Sequence, residues 1–163
     1  MCSTKPANEN NIKTGYLIFQ QDVTEKVILE KASITDTLTQ INNRMRFDEI
    51  SQQRLEEFSR YDRISSLIIC DIDDFKLIND KYGHKTGDDV LVSTCEIVLN
   101  SIRKPDLFMR YGGEEFCIVL PNAELNISYV ISQRVAKNIK KQSFKTKEEN
   151  FSITTSIGIL EYE

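Results

Sequence analysis

Apolar residues recur along this chain with two different spacings, and each change of spacing marks an element boundary. A helical pattern runs from about Arg44 to Arg63. The apolar run Leu67-Ile68-Ile69-Cys70 then predicts a buried strand over Ser65 to Ile72. A short helix is predicted around Phe75 to Tyr82, and a longer one from Gly87 to Arg103. In the longer helix Val90, Leu91, Cys95, Val98, Leu99 and Ile102 fall on one face. Leu107-Phe108-Met109 and Phe116-Cys117-Ile118-Val119-Leu120 flank a glycine pair, which predicts a β-hairpin. A further amphipathic helix covers about Ala123 to Lys141, with Ile127, Val130, Ile131, Val135 and Ile139 expected inward. A strand from Phe151 to Leu160 closes the pattern. This β-α-α-β-β-α-β order predicts an α+β fold, an antiparallel-centred sheet with helices on one side.

Ahead of this module, residues 1–13 are polar. Gly15 to Glu25 reads as a strand followed by a helix start, with Asp22 or Thr24 as N-cap. Val27, Ile28, Leu29, Ala32 and Ile34 form an apolar stripe on a connecting helix. The stripe covers too few heptads for a coiled coil. It fits pairing of two chains and packing on its own domain equally well.

Composition narrows the function classes. The 163 residues suit one domain with a short appendage, and 40% hydrophobic with 28% charged residues is ordinary globular material. A net charge of −4 leaves no global basic surface for nucleic acid. An anionic substrate must then be held by local cations, backbone amides or metal. No apolar run approaches the ~18 residues of a membrane span, and no signal peptide is evident, so a cytoplasmic location is expected. Cys2, Cys70, Cys95 and Cys117 form no CxxC pair and read as reduced thiols. Neither a Walker A loop nor a GxGxxG turn occurs.

The candidate chemistry sits at two strand ends. The first strand stops in Asp71-Ile72-Asp73-Asp74, and the hairpin turn carries Glu114 and Glu115, which should point to opposite faces. Taken alone, each carboxylate also reads as a solvated strand end. If the strands are neighbours, Asp71 and Glu114 can face each other, and carboxylates held together need a cation. Hard oxygen ligands without a His or Cys cluster point to Mg²⁺. Downstream, Asn79 to Asp88 is dense in donors and acceptors; Asn79 also reads as a helix C-cap and Asp88 as an N-cap. His84, the one histidine, reads as a loop-stabilising residue.

Several motifs agree in order and spacing. They are Asp36-x-Leu38-Thr39, then Asn43-Arg44-x-Arg46-Phe47, and Asp71-x-Asp73-x-Phe75-Lys76-x-x-Asn79-Asp80-x-Tyr82-Gly83-His84-x-x-Gly87-Asp88. Gly112-Gly113-Glu114-Glu115-Phe116 and Thr154-x-Ser156-Ile157-Gly158 follow. Together they resemble the GGDEF family of diguanylate cyclases, in its GGEEF form, from Asp36 to Glu163.

The resemblance implies a palm-like sheet of the nucleotidyl cyclase and polymerase type. It implies condensation of two GTP into cyclic di-GMP by a homodimer, with Mg²⁺ or Mn²⁺ held by Asp71, the Ile72 carbonyl and Glu114. Glu115 would assist the metal or accept a proton. Lys76, with backbone N–H groups near Asp74 and Phe75, would hold phosphates, while Asn79 and Asp88 would read guanine. Arg103 and Asp106 resemble an RxxD product-inhibition site, with Arg134 as a secondary arginine. Residues 1–35 resemble the exit strand of a PAS-like sensor and its linker helix. Residues 36–163 correspond to the domain without the last helix and strand usual in the family, which leaves a second expectation: a weak or inactive module that binds GTP or cyclic di-GMP as a signalling or dimerisation fragment.

Overall fold

The computed structural model describes residues 34–61, 63–146 and 149–162. The exit strand and most of the linker stripe fall outside them. The described elements are α1 (Arg44–Tyr61), β1 (Ser65–Ile72), α2 (Phe75–Tyr82), α3 (His84–Leu99), β2 (Leu107–Arg110), β3 (Glu115–Pro121), α4 (Leu125–Lys141), β4 (Phe144–Lys145), β5 (Asn150–Phe151) and β6 (Thr155–Tyr162). Four strands form one antiparallel sheet in the order β2-β3-β1-β6, and β4 with β5 forms a separate two-stranded ribbon.

The expected antiparallel α+β sheet is present, but its helices lie on both faces. Ile68, Cys70 and Ile72 of β1 and Phe116, Ile118 and Leu120 of β3 pack with residues of α2, α3 and α4. On the opposite face, Met109, Cys117 and Val119 enclose Ile50 of α1, with Phe47 and Leu67 beside them. The cause is the continuous apolar run of β3. Successive strand residues point to opposite faces, so such a run needs cover on both.

α4 is rotated from the expected setting. Ile127 and Val130 are exposed, at 45% and 63%, while Ser128, Ile131, Ser132, Val135 and Ile139 are buried. The two serines can lie inward because their hydroxyls donate within the helix, Ser128 to the Glu124 carbonyl and Ser132 to the Tyr129 carbonyl. A small, internally satisfied side chain lets the helix approach the sheet closely.

Boundaries also move. α3 begins at His84 rather than Gly87 and ends at Leu99 rather than Arg103, so Leu99 in the last turn is half exposed. The expected strand from Phe151 to Leu160 is broken. Phe151 pairs with Phe144 in the ribbon, and β6 starts afresh at Thr155. Between them the Asp73 N–H donates to the Thr154 carbonyl at 3.0 Å. Cys70, Cys95 and Cys117 are buried and unbridged, with burial pushing each thiol above its ordinary value. No helix among the described residues is long and apolar enough to cross a membrane.

Candidate active site at the β1 and β3 ends

β1 and β3 run antiparallel in a register that sets Asp71 opposite Glu115. Directly opposed residues share a face, so the carboxylate that accompanies Asp71 is Glu115. Glu114, one residue earlier, meets β1 through its carbonyl, which accepts the Ile72 N–H at 3.3 Å. The residue directly across the ladder from Asp71 is thus Glu115 rather than the expected Glu114, which lies in the turn just ahead of β3. The single-residue offset follows from the ladder register, which the motif spacing does not show.

The electrostatics of Asp71 reflect this crowding. Burial raises its carboxyl above the ordinary value, and Glu115 and then Asp73 raise it further. A half-buried carboxylate pushed up by like charges suits a cation. Among the described residues no three His, Cys, Asp or Glu side chains converge on one point. A cation held by the carboxylates at these strand ends would complete its shell with water and phosphate oxygens, as hard divalent ions do.

Asp73 has a different task. It accepts from Thr154 Oγ1 at 2.5 Å and from Ser156 Oγ at 2.6 Å. These hydroxyls, Ser156 foremost, hold its carboxyl below the ordinary range. Asp73 therefore ties the end of β1 to the start of β6. The Thr154-x-Ser156 pattern was visible in the sequence, yet nothing there linked it to Asp73.

The turn before Glu115 is held from within and from outside. Tyr111 N–H and Gly112 N–H both donate to the Glu115 carbonyl. A Cβ on Gly112 would collide with the Glu115 carboxylate, whereas one on Gly113 would meet open space. At the first glycine of the pair a side chain would displace the end of the Glu115 side chain, and at the second it would not. Arg110 donates through Nη2 to the Gly113 carbonyl at 2.7 Å, through Nε to the Gly112 carbonyl at 3.2 Å, and through Nη1 to Asp36 Oδ1 at 3.0 Å. Burial raises the Asp36 carboxyl, but bonds from Thr39 and Arg110 outweigh it and bring it below the ordinary value. Arg44 lies over the Tyr111 ring at 4.7 Å, and Phe47 meets that ring edge-on at 5.3 Å. Sequence reading missed Arg110; its signal was an arginine immediately before the turn.

The nucleotide loop lies beyond β1. Asp74 has a left-handed backbone, φ 55°, and makes no side-chain cap bond to α2. The first N–H groups of that helix are left without a side-chain partner, beside an exposed Lys76 and a buried Phe75. Asn79 is not the C-cap of α2: Gly83 is, donating its N–H to the Asn79 carbonyl. The Asn79 amide rests instead against Gly87, where any Cβ would overlap its Oδ1. Asp88 is not an N-cap either, since α3 already starts at His84; it is exposed within the helix. Both ordinary readings of these residues are removed.

Arg103 and Asp106 form a closed turn. Asp106, whose side chain is fully buried, accepts the Arg103 N–H at 2.8 Å and its guanidinium at 3.0 Å. The Arg103 side chain is 45% exposed. Arg134 stands exposed on α4 and lines an open groove with Lys137, Lys141 and Thr154.

Residues 33–163 match the family described as diguanylate cyclase, GGDEF domain. An uncharacterised Bacillus subtilis protein, YtrP, is 37% identical over 131 residues, which is 80% of this chain and 21% of that protein. Diguanylate cyclase DosC of Escherichia coli is 29% identical over 97% of this chain and 37% of its own length. This chain thus spans between a fifth and two fifths of these curated relatives. Among solved structures, the Pseudomonas aeruginosa diguanylate cyclase SiaD, in complex with its activator SiaC, superposes with TM-score 0.79. It is 33% identical, over 86% of this chain and 54% of that one. The coiled coil and GGDEF domain of Caulobacter crescentus DgcB, in complex with c-di-GMP, gives 0.81 at 26% identity, over 87% of this chain and 76% of that one. With a palm-like sheet, two acidic strand ends and a match over residues 33–163, this chain belongs to the GGDEF diguanylate cyclase family.

Proposed function

We propose that this chain condenses two GTP molecules into cyclic di-GMP, releasing pyrophosphate, as a homodimer in which each protomer presents one GTP. The observation that carries this reading is the pairing of Asp71 with Glu115 in register, beside Glu114 and the glycine turn. Asp71, the Ile72 carbonyl and Glu114 would hold Mg²⁺ or Mn²⁺, with Glu115 on the face of Asp71. When bound, the metal supplies a Lewis acid at the phosphoryl oxygens and lowers the pKa of the attacking hydroxyl.

The remaining work falls to the chain. Asn79 offers a donor and an acceptor, and Asp88 an acceptor, for the guanine edge. Lys76 and the free N–H groups at the start of α2 take phosphate oxygens. With both nucleotides fixed, the 3′-hydroxyl oxygen of one bonds to the α-phosphorus of the other. The α–β phosphoanhydride bond breaks, and the hydroxyl proton passes to a carboxylate, for which Glu115 is placed. A second such step closes the ring. Arg103 and Asp106, with Arg134, form the product-inhibition site, where Asp106 sets the guanidinium and Arg103 takes a guanine or phosphate.

Incubating the purified chain with GTP and Mg²⁺ and assaying cyclic di-GMP and pyrophosphate by mass spectrometry tests the reaction. Glu114→Gln is expected to abolish turnover and retain part of the GTP binding; undiminished activity would remove Glu114 from the metal site. A folded chain that binds GTP and yields no product would instead be a binding module.

A further inference from the structure

We infer that the β4–β5 ribbon sets the position of the guanine-reading loop, so that Tyr82 and Phe151 determine nucleotide specificity as positioning residues. The inference rests on the reading of guanine by Asn79.

Tyr82 is the last residue of α2, one turn beyond Asn79 on the same side of the helix. The next residue, Gly83, has φ 85° and ψ 156° and serves as both the C-cap of α2 and the N-cap of α3. Four bonds centre on this joint: Gly83 N–H to the Asn79 carbonyl, Thr86 Oγ1 to the Tyr82 carbonyl, and the Thr86 and Gly87 N–H groups to the Gly83 carbonyl. Gly87 in turn is the surface on which the Asn79 amide rests. Whatever fixes Tyr82 therefore fixes both the residue that reads the base and the glycine that seats it.

The ribbon fixes Tyr82 in two ways. Its ring stacks on Phe151 at 4.4 Å with an interplanar angle of 10°, and Phe151 continues to Phe144 at 5.4 Å. Phe144 is buried in the main core, which anchors the row. The Tyr82 hydroxyl donates to Glu149 Oε1 at 2.9 Å, and Lys81 Nζ meets the same oxygen at 2.6 Å. Thr146 N–H and hydroxyl both donate to the Glu149 carbonyl, which closes the ribbon behind that contact. The ribbon pairs with no strand of the main sheet among the described residues. Phe144 and Phe151 pack on the main core, and Phe151 and Glu149 reach from there to Tyr82 and Lys81 of the nucleotide loop.

The test is calorimetric binding of a non-hydrolysable GTP analogue and of the matching inosine analogue, which lacks the guanine amino group. Tyr82→Ala and Phe151→Ala are expected to weaken GTP binding about threefold to tenfold, the range a lost aromatic stack corresponds to. They should weaken the inosine analogue less, which lowers the ratio between the two. Tyr82→Phe keeps the ring and should keep most of the ratio. A merely structural role would lower both affinities together, or the melting temperature alone. A folded Tyr82→Ala with the wild-type ratio overturns the inference. Should Tyr82→Ala not fold, Tyr82→Leu keeps apolar bulk without the stacking plane and carries the same test. Asn79→Ala separates the two failures: an unchanged ratio in that variant sinks the guanine reading itself, whereas a ratio lost there and kept in Tyr82→Ala and Phe151→Ala sinks only the buttress.

Discussion

At the scale of single residues, the site contains carboxylates of opposite character. Asp36 and Asp73 are held below the ordinary value of 3.8 by hydroxyl, N–H and guanidinium donors that outweigh burial. The stability they contribute is present above that value and is lost as pH falls through their lowered ones. Asp71 is raised, so the folded state favours its protonated form and loses stability as pH climbs from 3.8 to the raised value. Asp71→Asn is therefore expected to raise the metal-free melting temperature by a few degrees at neutral pH. Mg²⁺ should raise the wild-type melting temperature and not the variant's. Calorimetric scans with Mg²⁺ and with a chelator check both points, and equal Mg²⁺ responses would remove Asp71 from the metal site. Gly87→Ala tests the seat of Asn79. The new Cβ must displace the amide, and one unpaired polar group costs about 1–3 kcal/mol. GTP affinity should fall roughly tenfold or more, measured by titration calorimetry. The acids, Asn79 and Gly87 were legible because motif spacing preserves residue identity. Arg110 and the Asp73–Thr154–Ser156 link were not, because they join residues far apart in the chain, Arg110 to Asp36 and Asp73 to β6.

At the scale of elements, periodicity located the helices and the buried face of α3, and missed part of the rotation of α4. In α4 an apolar tally favours Ile127 and Val130, yet the buried row runs through Ser128 and Ser132. A hydroxyl that bonds within its own helix carries no desolvation penalty into the core, and hydropathy does not register that. Ser132→Leu is expected to overpack the α4 contact and cost about 1–3 kcal/mol, while Val130→Ser should stay within about 0.5 kcal/mol. Urea unfolding of the two variants decides. A larger loss for Val130→Ser would restore the rotation that the sequence suggested. The break between β5 and β6 was hidden for a related reason. Phe151 to Leu160 alternates well enough for one strand, but Asp73 takes the Thr154 and Ser156 hydroxyls and Phe151 turns away to Phe144 and Tyr82.

At the scale of the whole molecule, the arithmetic of the reaction reaches beyond one chain. One protomer carries a single Asp71–Glu115 pair and a single Asn79–Gly87 seat. Under the proposed reaction two identical nucleotides must meet head to tail, each 3′-hydroxyl at the other's α-phosphorus. Identical ligands in that relation call for identical sites related by a twofold axis, which is the closure a second copy supplies. The described residues also show how a preceding segment can bear on that geometry. Asp36 lies ahead of α1, bonds Thr39, and reaches Arg110 and through it the carbonyls of the glycine turn. Turnover per chain should therefore fall as the protein is diluted, in step with loss of the dimer in analytical ultracentrifugation. Arg110→Lys cannot span Asp36 and both glycine carbonyls from one ammonium group. It should lower the turnover of the assembled dimer, with little change in the dimer population at a given concentration. Turnover per chain that stays constant while the dimer dissociates would assign the whole reaction to one protomer and end the twofold account.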